Sequence, residues 1–293
     1  MTTTLIEAEF DTDLIPGPLE YAIFLPDGYD ETSDAYPLLY ILHGGGGSRD
    51  FLSQMKPSVE ELTEEGKLPK LVVVTPSALR SFYMDYSDGS QQWETLITGS
   101  FLTHLRATYN VRSDRQGTLL FGISMGGMGA LRMGFKHPDI FGGLAALEPG
   151  IEPELAFGDI KPEDRFYRPP ELYQTIYGNP VDEAYWKQNN PANIALKHAR
   201  TIAASGLEIY LECGDQDGFG LDRGAEFLHR ILRDNGIGHE YHLVRGADHV
   251  GATLASRSQE GLAFLNRVLN PPPADPQVES FHNVIDAMRN AAT

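Results

Sequence analysis

Residues 119–131 have the sequence LLFGISMGGMGAL, in which glycines surround one serine, Ser124. Residues 122–126 match the pattern G-x-S-x-G and lie between an apolar strand-like run and a helix-like run. Glycine inside a helix costs about 1 kcal/mol relative to alanine, so this cluster indicates a backbone that must turn sharply and pack closely. A strand, a tight turn carrying serine and then a helix form the context of a nucleophile elbow. The stretch therefore predicts that Ser124 is a nucleophile.

Alternating strand and helix patterns extend outward from this motif. Apolar runs such as PLLYIL at 37–42 are typical of strands buried on both faces of a parallel sheet. The strands at 4–10 and 19–25 follow each other too closely for a helical crossover, so we predict an antiparallel pair. The pattern indicates an α/β fold with a mainly parallel central sheet, antiparallel N-terminal edge strands and helices on both faces. Further strands are predicted at 70–75, 117–121, 142–147, 207–212 and 239–244, and helices at 91–108, 126–136, 219–235 and 252–269.

Two segments depart from this alternation and define the predicted domain organisation. Residues 148–203 are rich in proline and in aromatic residues, among them Trp186, and we predict an irregular insertion over the active site. We assign residues 1–270 to a single domain that contains this insertion. The tail, residues 271–293, starts with a proline break and continues as a short amphipathic helix. Whether that helix packs on the body or on a second subunit of a homo-oligomer is left open.

The composition argues against several classes of binding partner and indicates a cellular location. The formal net charge is -18, which disfavours nucleic acid and anionic membrane surfaces. The single cysteine, Cys213, excludes an internal disulfide framework and fits a reducing compartment. The N-terminal residues lack the pattern of a signal peptide, and no apolar stretch reaches the length of about 18 residues that a spanning helix needs. We therefore expect a cytoplasmic protein without membrane contact.

A serine hydroxyl needs a base and an orienting acid to act as a nucleophile. In proteins with a nucleophile elbow, the acid and then the histidine follow the serine on loops after strands. Of the nine histidines, His249 alone follows the last predicted strand, on a glycine-containing loop before the last helix. The acid is expected after the strand at 207–212, where Asp217 and Asp215 compete. Asp217 is favoured because it lies far enough past the strand to turn back toward the histidine.

Backbone N–H groups must stabilise the oxyanion that develops during acyl transfer. The N–H of Met125, at the start of the helix after the serine, is one predicted donor. The glycine run at 44–47 follows a predicted strand and supplies the second donor, which we assign to Gly45, with Gly44 as the alternative donor and as a candidate substrate contact. A phosphate-binding role for this run is disfavoured, since lysine and Ser/Thr in Walker spacing are absent.

Five blocks in order resemble the esterase D-like family of α/β hydrolases: PLLYILHGGGG, SFYMDY followed by WETLI, GISMGGMGAL, LECGDQDGF and GADHVGATL. The family includes feruloyl esterases, S-formylglutathione hydrolases, siderophore esterases and mycolyltransferases. The resemblance covers residues from about 19 to 269 and implies the α/β-hydrolase fold. The family pattern G-x-x-D falls on Gly214 and Asp217, which strengthens Asp217 as the acid. Val250 follows His249, where the family usually has an aromatic residue.

The resemblance also implies candidate substrate-binding residues. The block SFYMDYSDGSQQWET at 81–95 is most similar to mycolyltransferases and feruloyl esterases, in which it borders the active site. Tyr83, Asp85 and Trp93 are therefore candidate pocket residues, and Trp186 of the predicted insertion is a fourth.

These observations predict a serine carboxylic-ester hydrolase that acts through an acyl-enzyme on small aryl or short-chain acyl esters. We expect no metal and no cofactor, a small-molecule ester as the substrate, no nucleic-acid or membrane partner, and a homo-oligomer as an open alternative to the monomer. One alternative is an acyltransferase that passes the acyl group to a sugar or another alcohol. A further alternative is a non-catalytic binding protein, because the fold alone does not establish chemistry.

Overall fold

The computed structural model describes residues 3–30 and 34–291. The described residues leave out 1, 2 and 31–33 of the predicted domain, and 292 and 293 of the predicted tail. Eight strands form one sheet: β1 (Thr4–Phe10), β2 (Leu19–Leu25), β3 (Leu38–Leu42), β4 (Val72–Pro76), β5 (Thr118–Ile123), β6 (Gly143–Leu147), β7 (Glu208–Gly214) and β8 (Glu240–Val244).

The strand order across the sheet is β1-β2-β4-β3-β5-β6-β7-β8. β2 pairs antiparallel with β1 and with β4, and the pairs from β4 to β8 are parallel. This confirms the mainly parallel sheet with antiparallel N-terminal edge strands. Since the carboxyl ends of the parallel strands meet at one edge, loops from distant parts of the chain come together there.

Helices cover both faces of the sheet, as predicted. The helices of the chain are α1 (Phe51–Glu64), α2 (Trp93–Thr98), α3 (Ser100–Thr108), α4 (Met125–Lys136), α5 (Pro170–Tyr177), α6 (Glu183–Asn189), α7 (Pro191–Ser205), α8 (Leu221–Asp234), α9 (Leu254–Leu269) and α10 (Pro276–Ala291), of which α10 buries no described residue. Within the described ranges, none of them is long and apolar enough to cross a bilayer.

Two apolar cores lie on opposite sides of the sheet. Side chains alternate along a strand, so Leu39 and Tyr40 of β3 point to opposite faces, and both are fully buried. Leu39 packs in the core that contains α1 and α9, whereas Tyr40 packs in the core that contains α3, α4, α7 and α8. Burial on both faces explains the continuous apolar runs from which the central strands were predicted.

The prediction of one helix over 91–108 is wrong in one respect, because the structure has two helices there. α2 ends at Thr98 and α3 begins at Ser100. Gly99 between them has φ -109° and ψ -103°, and a Cβ on it would lie 2.6 Å from the carbonyl oxygen of Thr95. The backbone turns so tightly at Gly99 that a side chain cannot be accommodated, and the turn separates the two helices.

The segment 148–203 is more regular than predicted. It contains α5, α6 and most of α7. Its prolines suggested irregular structure, but Pro170 and Pro191 are the first residues of α5 and α7. Proline is well tolerated at that position, since its missing N–H would have no intrahelical acceptor. α1, which was not predicted, likewise contains a proline, Pro57.

Removal of the C-terminal tail is expected to leave the body intact. The predicted helix is present as α10, and none of its described residues is buried. Deleting residues 271–293 should therefore shift the melting temperature by no more than about 2 °C, since surface changes rarely exceed about 0.5 kcal/mol. Calorimetry on the full-length and truncated proteins measures this, and a fall of many degrees would show that α10 docks on the body in solution.

Candidate active site

Ser124 occupies the sharp turn between β5 and α4, with φ 59° and ψ -116°. A positive φ is uncommon for serine and persists only where the surrounding structure enforces it. The backbone N–H of Ser124 donates to the carbonyl oxygen of Leu147 at 2.9 Å. The N–H of Gly150 donates to the carbonyl oxygen of Ser124 at 3.2 Å. The end of β6 and the residues after it therefore hold the turn in its strained conformation.

Two glycines explain why the motif is rich in this residue. A Cβ on Gly122 would lie 2.1 Å from the carbonyl oxygen of Gly126. A Cβ on Gly126 would lie 2.0 Å from the carbonyl oxygen of Leu42, at the end of β3. Both distances are too short for any side chain, so only glycine lets α4 begin this close to β5 and β3. The close approach places Ser124 at the carboxyl edge of the sheet.

His249 and Asp217 form a hydrogen-bonded pair on the loops after β8 and β7. Nδ1 of His249 donates to Oδ2 of Asp217 at 2.8 Å. Oδ1 of Asp217 accepts from the backbone N–H of Phe219 at 2.7 Å and from that of Leu221 at 3.4 Å. With Nδ1 protonated, Nε2 of the neutral imidazole is the unprotonated nitrogen that can accept a proton.

The hydrogen bonds of Asp217 keep its carboxyl ionised. Burial alone would raise the pKa of Asp217, but hydrogen bonds with His249 and Glu148 outweigh it and lower the pKa to about 2. An ionised carboxylate at this position favours the Nδ1–H tautomer of His249 and stabilises the imidazolium that forms when Nε2 takes a proton.

Asp215 links the two loops and bonds to backbone rather than to the His249 ring. Its Oδ1 accepts from the N–H of Gly246 at 2.6 Å, on the loop after β8. Asp248 makes a reciprocal link, since its Oδ1 accepts from the N–H of Gly218 at 2.9 Å, on the loop after β7. The two loops are therefore cross-linked in both directions beside the Asp217–His249 pair.

Ser124 and His249 line the same cavity, whose volume is about 800 Å³. The glycine run at 44–47 forms one wall, and a Cβ on Gly44 would lie 3.5 Å from Cβ of Ser124. Met125 also lines the cavity; as the first residue of α4, it has an N–H with no intrahelical acceptor. The structure thus brings Ser124, Met125, His249, Gly44 and Gly45 together, with Asp217 bonded to His249.

Aromatic side chains form another wall; Tyr167 belongs to the aromatic-rich segment 148–203 predicted over the site, and sequence reasoning missed the other two. Phe82, Tyr167 and Phe219 line the cavity. The Phe219 ring meets the His249 ring edge-on at 4.7 Å between centroids. Phe219 supplies from the loop after β7 an aromatic contact to His249 that Val250 does not provide. The sequence feature that could have identified Phe219 is its position two residues after Asp217, in the block LECGDQDGF.

Comparison with known proteins assigns the family. Residues 13–254 match the family model described as "Putative esterase". The chain belongs to this family. Over 209 residues, covering 71% of this chain and 75% of the other, the esterase is 25% identical to a protein named "Acetyl esterase" from Caldicellulosiruptor saccharolyticus. The esterase is a carboxylesterase-type hydrolase.

Two further comparisons extend this result. The esterase is 29% identical over 222 residues to "Diacylglycerol acyltransferase/mycolyltransferase Ag85B" from Mycobacterium leprae (strain TN), which covers 69% of this chain and 63% of that protein. The chain thus spans less than two thirds of the mycolyltransferase. A solved structure described as "ferulic acid esterase" has a TM-score of 0.74 and 23% identity, covering 92% of this chain and 100% of that one. This likeness confirms the α/β-hydrolase fold.

Hydrogen bonds of the buried His43 ring fix the glycine run of the esterase. Nε2 of His43 accepts from the N–H of Ala78 at 3.0 Å, and Nδ1 donates to the carbonyl oxygen of Gly44 at 2.7 Å. Burial lowers the pKa of His43, so its ring is neutral and keeps one donor and one acceptor. The Tyr83 hydroxyl donates to the carbonyl oxygen of His43 at 3.1 Å. These contacts fix the backbone that carries Gly44 and Gly45.

The four other predicted substrate-binding residues do not line this cavity in the described part of the chain. Tyr83, Trp93 and Trp186 are buried at 0%, 2% and 0% exposure, and Tyr83 packs on Gly129 and His43. The Asp85 carboxylate accepts from the N–H and the hydroxyl of Thr95 in α2. Phe82 of the same block lines the cavity, whereas Tyr83, Trp93 and Trp186 are packed in the interior and Asp85 bonds to α2.

A metal site is not indicated by the described side chains. One group of three potential ligands occurs, Glu148, Cys213 and Asp217, whose ligand atoms lie within 4.8 Å of one another. Burial and the neighbouring Glu148 carboxyl raise the pKa of the Cys213 thiol, which disfavours the thiolate that a metal would need. Cys213 Sγ instead donates to Oε2 of Glu148 at 3.0 Å.

Proposed function

We propose that the esterase hydrolyses carboxylic esters through an acyl-enzyme on Ser124. The observation that carries the proposal is the 2.8 Å hydrogen bond between His249 and Asp217 beside the cavity that His249 shares with Ser124. Ser124 Oγ attacks the ester carbonyl carbon, and Nε2 of His249 takes the hydroxyl proton. The Asp217 carboxylate stabilises the resulting imidazolium.

The backbone N–H groups of Met125 and Gly45 donate to the oxyanion of the tetrahedral intermediate. When the intermediate collapses, His249 returns its proton to the leaving alcohol and the acyl group remains on Ser124. A water molecule then attacks the acyl-enzyme, with His249 again as the base, and the carboxylic acid leaves. Each step uses groups that line the cavity or contact His249.

Small aryl or short-chain acyl esters are the proposed substrates. The cavity volume of about 800 Å³ lies in the range of small-molecule sites, and Phe82, Tyr167 and Phe219 offer aromatic contacts. A named acetyl esterase among the relatives and a ferulic acid esterase among the similar structures support this class. A panel of esters that varies acyl length and leaving group tests the assignment.

Acyl transfer to an alcohol is the second candidate, supported by the mycolyltransferase relative. In that reaction a sugar or another alcohol replaces water at the acyl-enzyme. With an acceptor alcohol added, hydrolysis predicts that the free acid remains the product, whereas transfer predicts a new ester that increases as the acid decreases. Product analysis by mass spectrometry separates the two reactions.

Covalent labelling tests the nucleophile directly. A fluorophosphonate probe is expected to modify one residue per chain, Ser124, because an activated serine attacks phosphorus as it attacks an ester carbonyl. Intact-protein and peptide mass spectrometry measure the stoichiometry and the site. Ser124→Ala should abolish the labelling.

Ser48→Ala is the matched control, since Ser48 also lines the cavity. This variant should be labelled like the wild type, because the Ser48 hydroxyl accepts from the N–H of Asp50 and is not on the elbow. Labelling that persists in Ser124→Ala would overturn the nucleophile assignment. A binding protein without catalysis would neither react with the probe nor turn over an ester.

A further inference from the structure

A second carboxyl, that of Glu148, lies behind the Asp217–His249 pair. Glu148 directly follows β6, is fully buried and has φ 47°. Its backbone N–H donates to the carbonyl oxygen of Glu212 at 2.8 Å. Its Oε2 accepts from Cys213 Sγ at 3.0 Å and from the N–H of Gly214 at 3.4 Å. The carboxyl is therefore held against the end of β7, where the loop that carries Asp217 begins.

The carboxyls of Glu148 and Asp217 lie side by side: an oxygen of each and the Cys213 Sγ are all within 4.8 Å of one another. Two ionised carboxylates this close together in the interior repel each other and contain no donor, which favours a proton on one of the pair. Asp217 accepts from the N–H groups of His249, Phe219 and Leu221, which favour its ionised form. Glu148 is buried, and its interactions with Asp217 and Glu212 favour the neutral form. The proton therefore belongs to Glu148.

The charges that face Glu148 support this assignment. Nη1 of Arg257, on α9, contacts Glu148 and lies 2.8 Å from Oε1 of Glu212. One guanidinium thus contacts two buried carboxyls, with the Asp217 carboxyl beside them, and full ionisation of all three would leave excess negative charge in the interior. Burial and the neighbouring Asp217 carboxyl raise the pKa of Glu148 to about 7, although Cys213 and Arg257 act in the opposite direction.

Arg257 also contacts the loop that carries the histidine. Its Nη2 donates to the carbonyl oxygen of Asp248 at 2.6 Å, one residue before His249. The Glu148 carboxyl lies beside that of Asp217, and Arg257 joins Glu148 to the His249 loop. The cluster of Glu148, Glu212 and Arg257 is thus connected to both members of the acid–base pair while remaining outside the cavity.

We propose that Glu148 is a positioning residue: its protonated carboxyl donates a hydrogen bond to Asp217 and fixes that carboxylate against Nδ1 of His249. The kinetic consequence rests on the proposed function of Ser124, but the hydrogen-bond geometry does not. The residue makes no contact with substrate in this role. It acts through Asp217 alone.

Two substitutions of Glu148 distinguish the effect of losing the hydrogen-bond donor from the effect of changing the side chain. Glu148→Gln keeps an N–H donor of similar shape that does not titrate, whereas Glu148→Leu removes the donor. Glu212→Gln is the matched control, because Glu212 is equally buried and shares Arg257 but has no hydrogen bond to Asp217. Circular dichroism establishes that each variant is folded before kinetics are compared.

Glu148→Leu is expected to lower kcat by about 100-fold with little change in KM, because a misplaced Asp217 no longer orients His249. Glu148→Gln should retain most of the wild-type kcat, as should Glu212→Gln. In the wild type, kcat should decline above neutral pH as Glu148 loses its proton, whereas Glu148→Gln should keep its plateau. Equal activity of the Leu and Gln variants, or the same alkaline decline in Glu148→Gln, would overturn the proposal.

Two readouts do not depend on turnover. The proton on Nδ1 of His249 should give a downfield NMR resonance in the wild type and Glu148→Gln, and this resonance should move upfield in Glu148→Leu. If Ser124 fails to react with fluorophosphonate while the resonance behaves as stated, the proposed function fails and the role of Glu148 stands. An unchanged resonance in Glu148→Leu would exclude the positioning role.

The pH dependence of stability covers the case in which Glu148→Leu does not fold. The Glu148 pKa is raised from 4.5 to about 7 in the folded protein, so between these values the folded state holds a proton that the unfolded chain has lost. Stability should therefore fall as the pH rises through this window. The wild-type melting temperature should decrease from pH 5 to 8 relative to that of Glu148→Gln. Parallel melting curves would contradict a proton on Glu148.

Discussion

His249→Ala is expected to lose about 10⁶-fold in kcat on an activated ester, the size of loss found when one member of a cooperating nucleophile and base is removed. Without the imidazole, no group is assigned to take the Ser124 proton or to protonate the leaving alcohol. Ser124→Ala should cost about as much, and the double variant little more, because the two residues act as a unit. Initial rates with a chromogenic ester measure the loss.

The control for this prediction is His282→Ala, since His282 lies on α10, where none of the described residues is buried. That variant should match the wild type in kcat and KM. The wild type should also lose activity as the pH is lowered, because protonated imidazole cannot accept the serine proton. Near-normal turnover by His249→Ala would transfer the role of base to another histidine.

Asp217→Asn is expected to lower kcat by up to about 10⁴-fold while the fold is kept. The asparagine amide can donate to Nδ1 of His249, which favours the tautomer that leaves the proton on Nε2. That tautomer cannot accept the Ser124 proton. The comparison uses one activated ester for all variants, so that protonation of the leaving group does not obscure the attack step.

Asp215→Asn is the matched variant on the same loop. Its amide oxygen can still accept from the N–H of Gly246, so the expected loss is about tenfold or less, equivalent to about 1.4 kcal/mol. Both variants should melt near the wild-type temperature. A larger loss from Asp215→Asn would reverse the assignment of the acid, and equal modest losses would show that either carboxylate serves.

The elbow could be predicted from sequence because its requirements are local. The close approach of β5, α4 and β3 excludes side chains at Gly122 and Gly126. This requirement for glycine appears in the sequence as the G-x-S-x-G motif around Ser124. The candidate acid and base were found from topology, since loops after neighbouring parallel strands meet at one edge of the sheet.

The rest of the site depends on contacts between distant residues. Glu148 bonds to Cys213, 65 residues away, and Arg257 contacts Glu148 from 109 residues away. The spacing of residues along the sequence does not indicate contacts between residues so far apart. Tyr83 was misplaced for a related reason: its block predicts proximity to the site, but the direction of the side chain depends on the packing of Gly129 and His43 around it.

The reciprocal links between the loops after β7 and β8 have a consequence for how the substrate range of this esterase can diverge. Asp215 holds Gly246 and Asp248 holds Gly218, so the acid and the base shift together or not at all. Tyr167, by contrast, reaches the cavity from the segment 148–203, outside this cross-linked unit. Past Gly150, which bonds to the Ser124 turn, that segment can accumulate substitutions, insertions or a transplanted sequence for a new acyl group while the proton-transfer geometry is kept.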